Sequence, residues 1–260
     1  MNILLAFKAE PDAGMLAEND WQAATQDLCG PDVSLLRSTI GADEQAAAGL
    51  LLAQRNAGCE MSLTALSIGD ERALHWLRYF AALGFEQPVL LDAAGDLRFA
   101  PAFIARHIVD WQRQYAHELI VTGCQSAEGQ NSQTPFLLAE MLSWPCFTQV
   151  ERFTIEPPFV IVEQRTASGV RRCRVRLPAV IAVRQCGEVV LPVPGMRQRL
   201  AAAKAEIVRL EVALEATPAI TCLRLARPEQ RRNAVIVEGA TAQEKAIKLW
   251  DNYLRQRIQP

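Results

Sequence analysis

Through the first 145 residues, short apolar runs alternate with segments of helical period. Asn2 to Lys8 (NILLAFK) is an apolar run closed by the turn residues Pro11, Asp12 and Gly14, which predicts a buried first strand. A polar, irregular stretch follows to about Ile40, broken at Cys29-Gly30-Pro31-Asp32, and reads as a long excursion outside the core. Asp43 to Gln54 starts acidic, continues rich in Ala and Leu, and meets Asn56 and Gly58, the start and stop signals of a helix. Met61 to Gly69 predicts a second strand, and Asp70 to Gly84 a helix closed by its glycine. Pro88 to Asp92 is a third strand. Pro101 to Tyr115 is a helix with Phe103, Ile104, Ile108 and Trp111 on one face. Glu118 to Gly123 (ELIVTG) then predicts a fourth strand and Thr134 to Leu142 its helix. Four such repeats imply an α/β fold, a parallel sheet covered on both faces with right-handed crossovers.

The pattern changes after Pro145. CFTQVERFTIE, FVIVEQRT, VRRCRVRL and AVIAVRQ mix apolar and charged residues between Pro157-Pro158, Ser168-Gly169 and Pro178, which predicts antiparallel strands and a hairpin. Arg165, Arg171, Arg172, Arg174 and Arg176 lie on it, and the period of two puts Arg172, Arg174 and Arg176 on one face. That face is either solvated or turned to an acidic or phosphate-bearing partner. Gly187 to Leu200 (GEVVLPVPGMRQRL) predicts a loop running into a helix. From Ala216 an arginine-rich segment leads to a last helix with an apolar stripe of Ile247, Trp250 and Leu254, which packs on its own domain or reaches a partner.

Half of the 260 residues are apolar, enough for a substantial core. The net charge of −2 gives no general electrostatic reason to expect nucleic acid or an acidic membrane surface as partner. No apolar run reaches the ~18 residues of a membrane span, and the N-terminal run is too short for a signal peptide, so a cytoplasmic protein without membrane insertion is expected. Cys29, Cys59, Cys124, Cys146, Cys173, Cys186 and Cys222 form no C-x-x-C pair, which suits reduced, mostly buried thiols rather than disulfides or zinc. His75, His107 and His117 stand at no metal-binding spacing.

The densest chemistry lies between Thr122 and Pro145 (TGCQSAEGQNSQTPFLLAEMLSWP). A strand feeds a loop of Gln, Ser, Gly and Asn that opens into a helix. At the carboxyl end of a parallel sheet this arrangement offers backbone N–H groups and a helix N-terminus to a phosphate or ribose. The other reading of Gln125 to Thr134 is a polar loop with a helix cap. For Asp43 the two readings are ligand contact and a favourable charge at a helix N-terminus.

Three motifs together resemble the β (small) subunit of electron transfer flavoproteins over nearly the whole chain. NILLAFKAEPD is similar to that family's first strand and V-K-x-x-P-D turn, with Lys8, Pro11 and Asp12 in register. The 122–145 stretch resembles G-x-Q-x-x-D-G-D-x-x-Q-x-x-x-x-x-A-E-x-L-x-x-P through Gly123, Gln125, Gly129, Gln133, Ala139, Glu140, Leu142 and Pro145. IVEQRTASGVRRCRVRLPAVIAV resembles the signature V-E-R-x-x-x-G, hairpin, L-P-A-V. The chain departs from the family at Glu128 and Gln130, where acidic residues are usual, at Ile40-Gly41, where Asn-Pro is usual, and at Gln164-Arg165, where Arg then an acid is common.

The resemblance implies a Rossmann-like, alpha-hydrolase-like adenine-nucleotide-binding domain over 1–200 with an antiparallel hairpin addition. It also implies a C-terminal arm over 201–260 that contacts a partner subunit. An α subunit would carry the redox FAD in a heterodimer that passes electrons from a flavin dehydrogenase to an acceptor. This chain would hold AMP, or a second FAD, through Ala9, Asp43, Ser67, Gly123, Gln125, Glu128, Gly129, Gln130, Asn131, Ser132, Gln133 and Thr134. Met196 and Arg197 would meet the dehydrogenase. No catalytic residue is expected. The alternatives are a nucleotide-binding module of universal-stress type and an ATP pyrophosphatase, although KAEPDAG lacks the S-G-G-x-D-S loop of the latter.

Overall fold

A computed structural model describes the chain except for residues 25–29, 94, 127–128, 188, 214–219, 221–233, 256 and 259–260. The chain parts into two units, Met1–Arg224 and Leu225–Pro260. The first is an α/β layer structure. Its strands are β1 (Asn2–Phe7), β2 (Ala9–Pro11), β3 (Ser38–Ile40), β4 (Ser62–Gly69), β5 (Gln87–Ala93), β6 (Leu119–Gly123), β7 (Cys146–Glu156), β8 (Phe159–Thr166), β9 (Gly169–Arg176), β10 (Ala179–Val183) and β11 (Val208–Val212). Its helices are α1 (Glu18–Ala24), α2 (Ala42–Asn56), α3 (Ala73–Ala82), α4 (Pro101–Tyr115), α5 (Thr134–Leu142) and α6 (Met196–Ala202).

Nine strands form one sheet in the order β11-β5-β4-β1-β6-β10-β7-β8-β9. Every pair from β11 to β7 is parallel, and β8 and β9 continue the sheet antiparallel. Parallel strands need both faces covered, and alternate residues of β1 enter two separate cores. Ile3, Leu5 and Phe7 join Ala47, Leu51, Leu77 and Phe80 from α2 and α3. Leu4 and Ala6 join Ile108, Trp111 and Leu138 from α4 and α5.

The predicted strands and helices of the first 145 residues all form, with α4 and α5 at their predicted limits. The excursion before Ile40 contains α1 and a ribbon in which β2 and β3 pair antiparallel. One expectation is corrected. Ala179–Val183 is not part of the antiparallel meander but a central strand parallel to both β6 and β7. All five of its residues are buried, and a continuous apolar run of that length suits a strand covered on both faces. Arg172, Arg174 and Arg176 do share the exposed face of β9, with Val175 turned inward.

The first unit continues beyond residue 200, because β11 pairs with β5 at the sheet edge. Arg209 fastens it there, with Nε 2.7 Å from Asp92 Oδ2 and a guanidinium nitrogen 3.2 Å from Glu71 Oε1. In the second unit the described elements are α7 (Ala242–Leu249), capped by the Thr241 hydroxyl accepting from Glu244 N, and a π-helical turn over Trp250–Leu254. No described residue of that unit is buried. Among the described residues, no helix is long and apolar enough to cross a membrane.

A buried polar knot sets the entry to β6. The Gln112 side chain donates to His117 O at 2.8 Å and accepts from His117 N at 3.1 Å, closing the turn after α4. The His117 ring spans Gln112 Oε1 at 2.9 Å and Thr64 Oγ1 at 3.1 Å. Burial lowers the His117 pKa from 6.5 to about 4, against a smaller opposing pull from Glu118, so the ring is neutral at pH 7. Replacing Gln112 by Ala strands both backbone groups of His117 away from water, at about 1–3 kcal/mol for each unsatisfied group. Gln112→Ala should therefore lower the urea midpoint of the full chain at pH 7 markedly, whereas Arg113→Ala on the exposed side of the same helix should leave it within about 0.5 kcal/mol of wild type.

Candidate functional site

β1 is bonded on one side to β4 and on the other to β6, so successive crossovers depart from it in opposite directions. The carboxyl ends of β1 and β6 therefore flank a topological switch point, the place where open parallel sheets leave a crevice for ligands. The β2–β3 ribbon carries the chain over this crevice. Ala9 pairs with Ile40, which brings Gly41 and the start of α2 above the end of β1.

Of the residues expected from sequence, Ser67 is buried in β4 beside Phe7, and its Oγ has no hydrogen-bond partner among the described residues. Ala9 lies in the ribbon, beyond the last residue of β1. Gly123 ends β6, and a methyl group there would sit 2.8 Å from Glu44 Cδ and 3.1 Å from Asp43 Cβ, so the close approach of α2 requires glycine. Asp43 accepts from Gln125 N through Oδ2 at 3.1 Å and from Gln185 N through Oδ1 at 2.8 Å. Its carboxylate thus spans the ends of β6 and β10.

Beyond Gly123 the loop has an unusual backbone. Gly129, Gln130 and Ser132 have φ of 76°, 44° and 54°, and the two non-glycine residues carry a conformational cost of about 1–3 kcal/mol each. Gln125 Nε2 donates to Gln130 O at 3.3 Å, and Asn131 Oδ1 accepts from Gln133 N at 3.0 Å. Left-handed Ser132 is followed by right-handed Gln133, the backbone alternation found in anion-binding concavities, with Gln133 N here held by Asn131. α5 then begins at Thr134 with Pro135 in its first turn and, among the described residues, no side chain capping it; a helix start of this kind presents N–H groups to an anion. Glu128 lies outside the described residues. Met196 and Arg197 are exposed in the first turn of α6, at the other end of the 184–195 loop from Gln185.

Two acids at the crevice carry no local sequence signal. Glu10, almost fully buried, pairs with Lys8 Nζ at 2.8 Å. Glu44, buried between Gly41 and Gly123, has an Oε2 without a hydrogen-bond partner among the described residues. Burial pushes its pKa up from 4.5 to about 8; Glu10 and Asp43 add to the rise, while its own backbone N–H and Lys8 oppose it. Cys124 knits the same end of the sheet. Its thiol donates to Ala182 O at 3.1 Å and accepts from Gln149 N at 3.0 Å, and burial raises its pKa to about 11, so it stays protonated.

Between pH 4.5 and about 8 the folded chain keeps the Glu44 proton that the unfolded chain has lost. Stability from this group therefore falls as pH rises through that window and levels off above it, by on the order of a few kcal/mol in total. Urea unfolding from about pH 5 to about pH 8.5 should show wild type losing more stability than Glu44→Gln, in which that loss is absent.

A profile of the electron transfer flavoprotein domain matches residues 42–215. A protein of Escherichia coli (strain K12), provisionally named electron transfer flavoprotein subunit YgcR, is 73% identical over the full length of both chains. The electron transfer flavoprotein subunit beta of Mycobacterium tuberculosis (strain ATCC 25618 / H37Rv) is 29% identical over 82% of this chain and 79% of its own. That of Mus musculus is 24% identical over 72% and 74%. The matched domain spans α2, β6 and the loop into α5, and the chain belongs to the electron transfer flavoprotein family.

Proposed function

We propose that this chain is the β-type, small subunit of a cytoplasmic electron transfer flavoprotein, and that it binds an adenine nucleotide at the switch point without performing chemistry of its own. The observation that carries this reading is the coincidence of the family match with the Gln125–Thr134 loop at the mouth of the β1–β6 crevice. Positive-φ residues and the uncapped start of α5 suit a phosphate. Ser67 and Glu44 supply buried oxygens without partners, as a site for a hydroxyl- and amine-bearing ligand requires. AMP, or the adenylate half of a second FAD, fits this donor set.

The redox flavin would sit mainly on an α subunit and supply the electron-carrying chemistry, while protein provides position, burial and electrostatics. The second unit supports a heterodimer. Val235, Ile236, Ile247, Leu249, Trp250, Tyr253 and Ile258 are all exposed there, apolar side chains of the kind that gather at protein interaction sites. On the first unit, Val190, Val193, Met196 and Leu200 are exposed. Met196, 73% exposed beside Arg197, is a flexible apolar anchor suited to a flavin dehydrogenase.

Co-expression with an α-type subunit should give a yellow 1:1 complex. Nucleotides released from it and identified by mass spectrometry should be AMP and one FAD for plain transfer, or two FAD for bifurcation; a colourless chain that fails to associate would sink the reading. Met196→Glu should leave flavin content unchanged and raise the apparent KM for the dehydrogenase about tenfold or more, since burying a charge at an anchor costs over 1 kcal/mol.

A further inference from the structure

The segment that leads to Met196 is seated on α2 and α3 by contacts that begin at the nucleotide crevice. Gln185 N is held by Asp43. Four residues on, Val189 and Val190 cross α2 at Gly49, where a methyl group would come within 2.6 Å of Val189 Cγ1 and 3.4 Å of Val190 O. Leu191 enters the core, and Tyr79 Oη donates to Pro192 O at 3.0 Å. Arg199 Nε then donates to Pro194 O at 2.9 Å, which brings the chain into α6 and Met196.

The carboxylate that holds the near end of this segment also holds the first residue of the nucleotide loop beyond Cys124, through Gln125 N. One side chain therefore fixes two loops, and neither can shift at its root without changing a bond of the other. The junction is also incompletely satisfied. Among the described residues, Gln185 Oε1 is buried without a partner while its Nε2 reaches Val189 O at 3.4 Å, and Glu44 Oε2, one residue from Asp43, has none either. Unsatisfied buried polar atoms are costly, so this junction gains most from a rearrangement that gives them partners.

We infer that Asp43 is a positioning residue that links the two loops, so that occupation of the nucleotide loop orders the 184–196 segment and thereby the surface around Met196. This rests on the nucleotide reading given above. Linkage is reciprocal, so whatever displaces the 184–196 segment weakens nucleotide binding by the same factor. An Asn at 43 accepts one backbone N–H through its carbonyl and cannot accept the second, so Asp43→Asn breaks the link while leaving the helix and its packing in place.

Hydrogen exchange of the full chain, read by mass spectrometry with and without AMP, tests this. In wild type, AMP should slow exchange over 184–191 by roughly fivefold, the lower end of ordinary site-to-site coupling. In Asp43→Asn, AMP bound to saturation should slow the 125–134 loop alone. Gly49→Ala, which pushes Val189 off α2 without touching Asp43, should weaken AMP in calorimetry by roughly fivefold by the same reciprocity, and it keeps the inference testable if Asp43→Asn does not fold. AMP bound to wild type with no change over 184–191 overturns the linkage and leaves the nucleotide reading intact. Slowing over 184–191 that persists in Asp43→Asn removes Asp43 from the role, and unchanged AMP affinity in Gly49→Ala overturns the linkage independently. Failure of wild type to bind AMP at all removes the nucleotide reading, and the linkage with it.

Discussion

The double pairing of β1, to β4 on one side and β6 on the other, is the constraint from which the rest follows. It places β1 at the centre of the sheet, with Ile3, Leu4 and Leu5 fully covered, each worth about 1.5–3 kcal/mol of apolar burial. It also forces the two crossovers that leave the centre to turn opposite ways. The gap between them cannot be filled by a continuing strand, so loops and helix N-termini meet there. Backbone donors, left-handed residues and two buried acids then share a space that a packed core would not tolerate.

That space is closed from above by a short helix start. Gly41 and Gly123 give up side chains so that Asp43 and Glu44 can approach β6, and the two carboxyls then take different fates. Asp43 accepts two backbone N–H groups and holds both strand ends in place. Glu44 has fewer donors and more burial, and a proton neutralises it. Adjacent residues on one helical turn thus have different surroundings, Asp43 meeting the strand ends and Glu44 buried beside Glu10 and Lys8.

Much of the architecture was legible in the pattern of apolar runs, because a parallel sheet writes itself as strands and helices in strict alternation. The nucleotide loop was legible as composition and order, a polar segment between an apolar run and a helix beginning at Thr134-Pro135. The rest depended on long-range contacts. The unbroken apolar run AVIAV suits a strand covered on both faces, but its neighbours in sequence are antiparallel strands, and only its pairing with Leu119–Gly123 sets it parallel in the middle of the sheet. Glu10 looks like a solvated turn residue until the ribbon folds over it. Asp43 reads as a helix-start charge in sequence, and its reach to residues 82 and 142 positions away has no local signal.

The hairpin arginines acquire a second meaning from where the sheet ends. Among the described residues β9 is bonded on one side only, to β8, and lies at the edge of the nine-stranded sheet. Its row of open N–H and C=O groups would template pairing with any other strand. Arg171, Arg172, Arg174 and Arg176 stand along that row; Arg172 is held by Glu163 at 3.5 Å, and Arg174 lies 3.8 Å over the Phe159 ring. Two such edges brought together would set like charges directly against one another. The basic face therefore guards the sheet against growing strand by strand into aggregates, a protection every copy carries before it meets a partner.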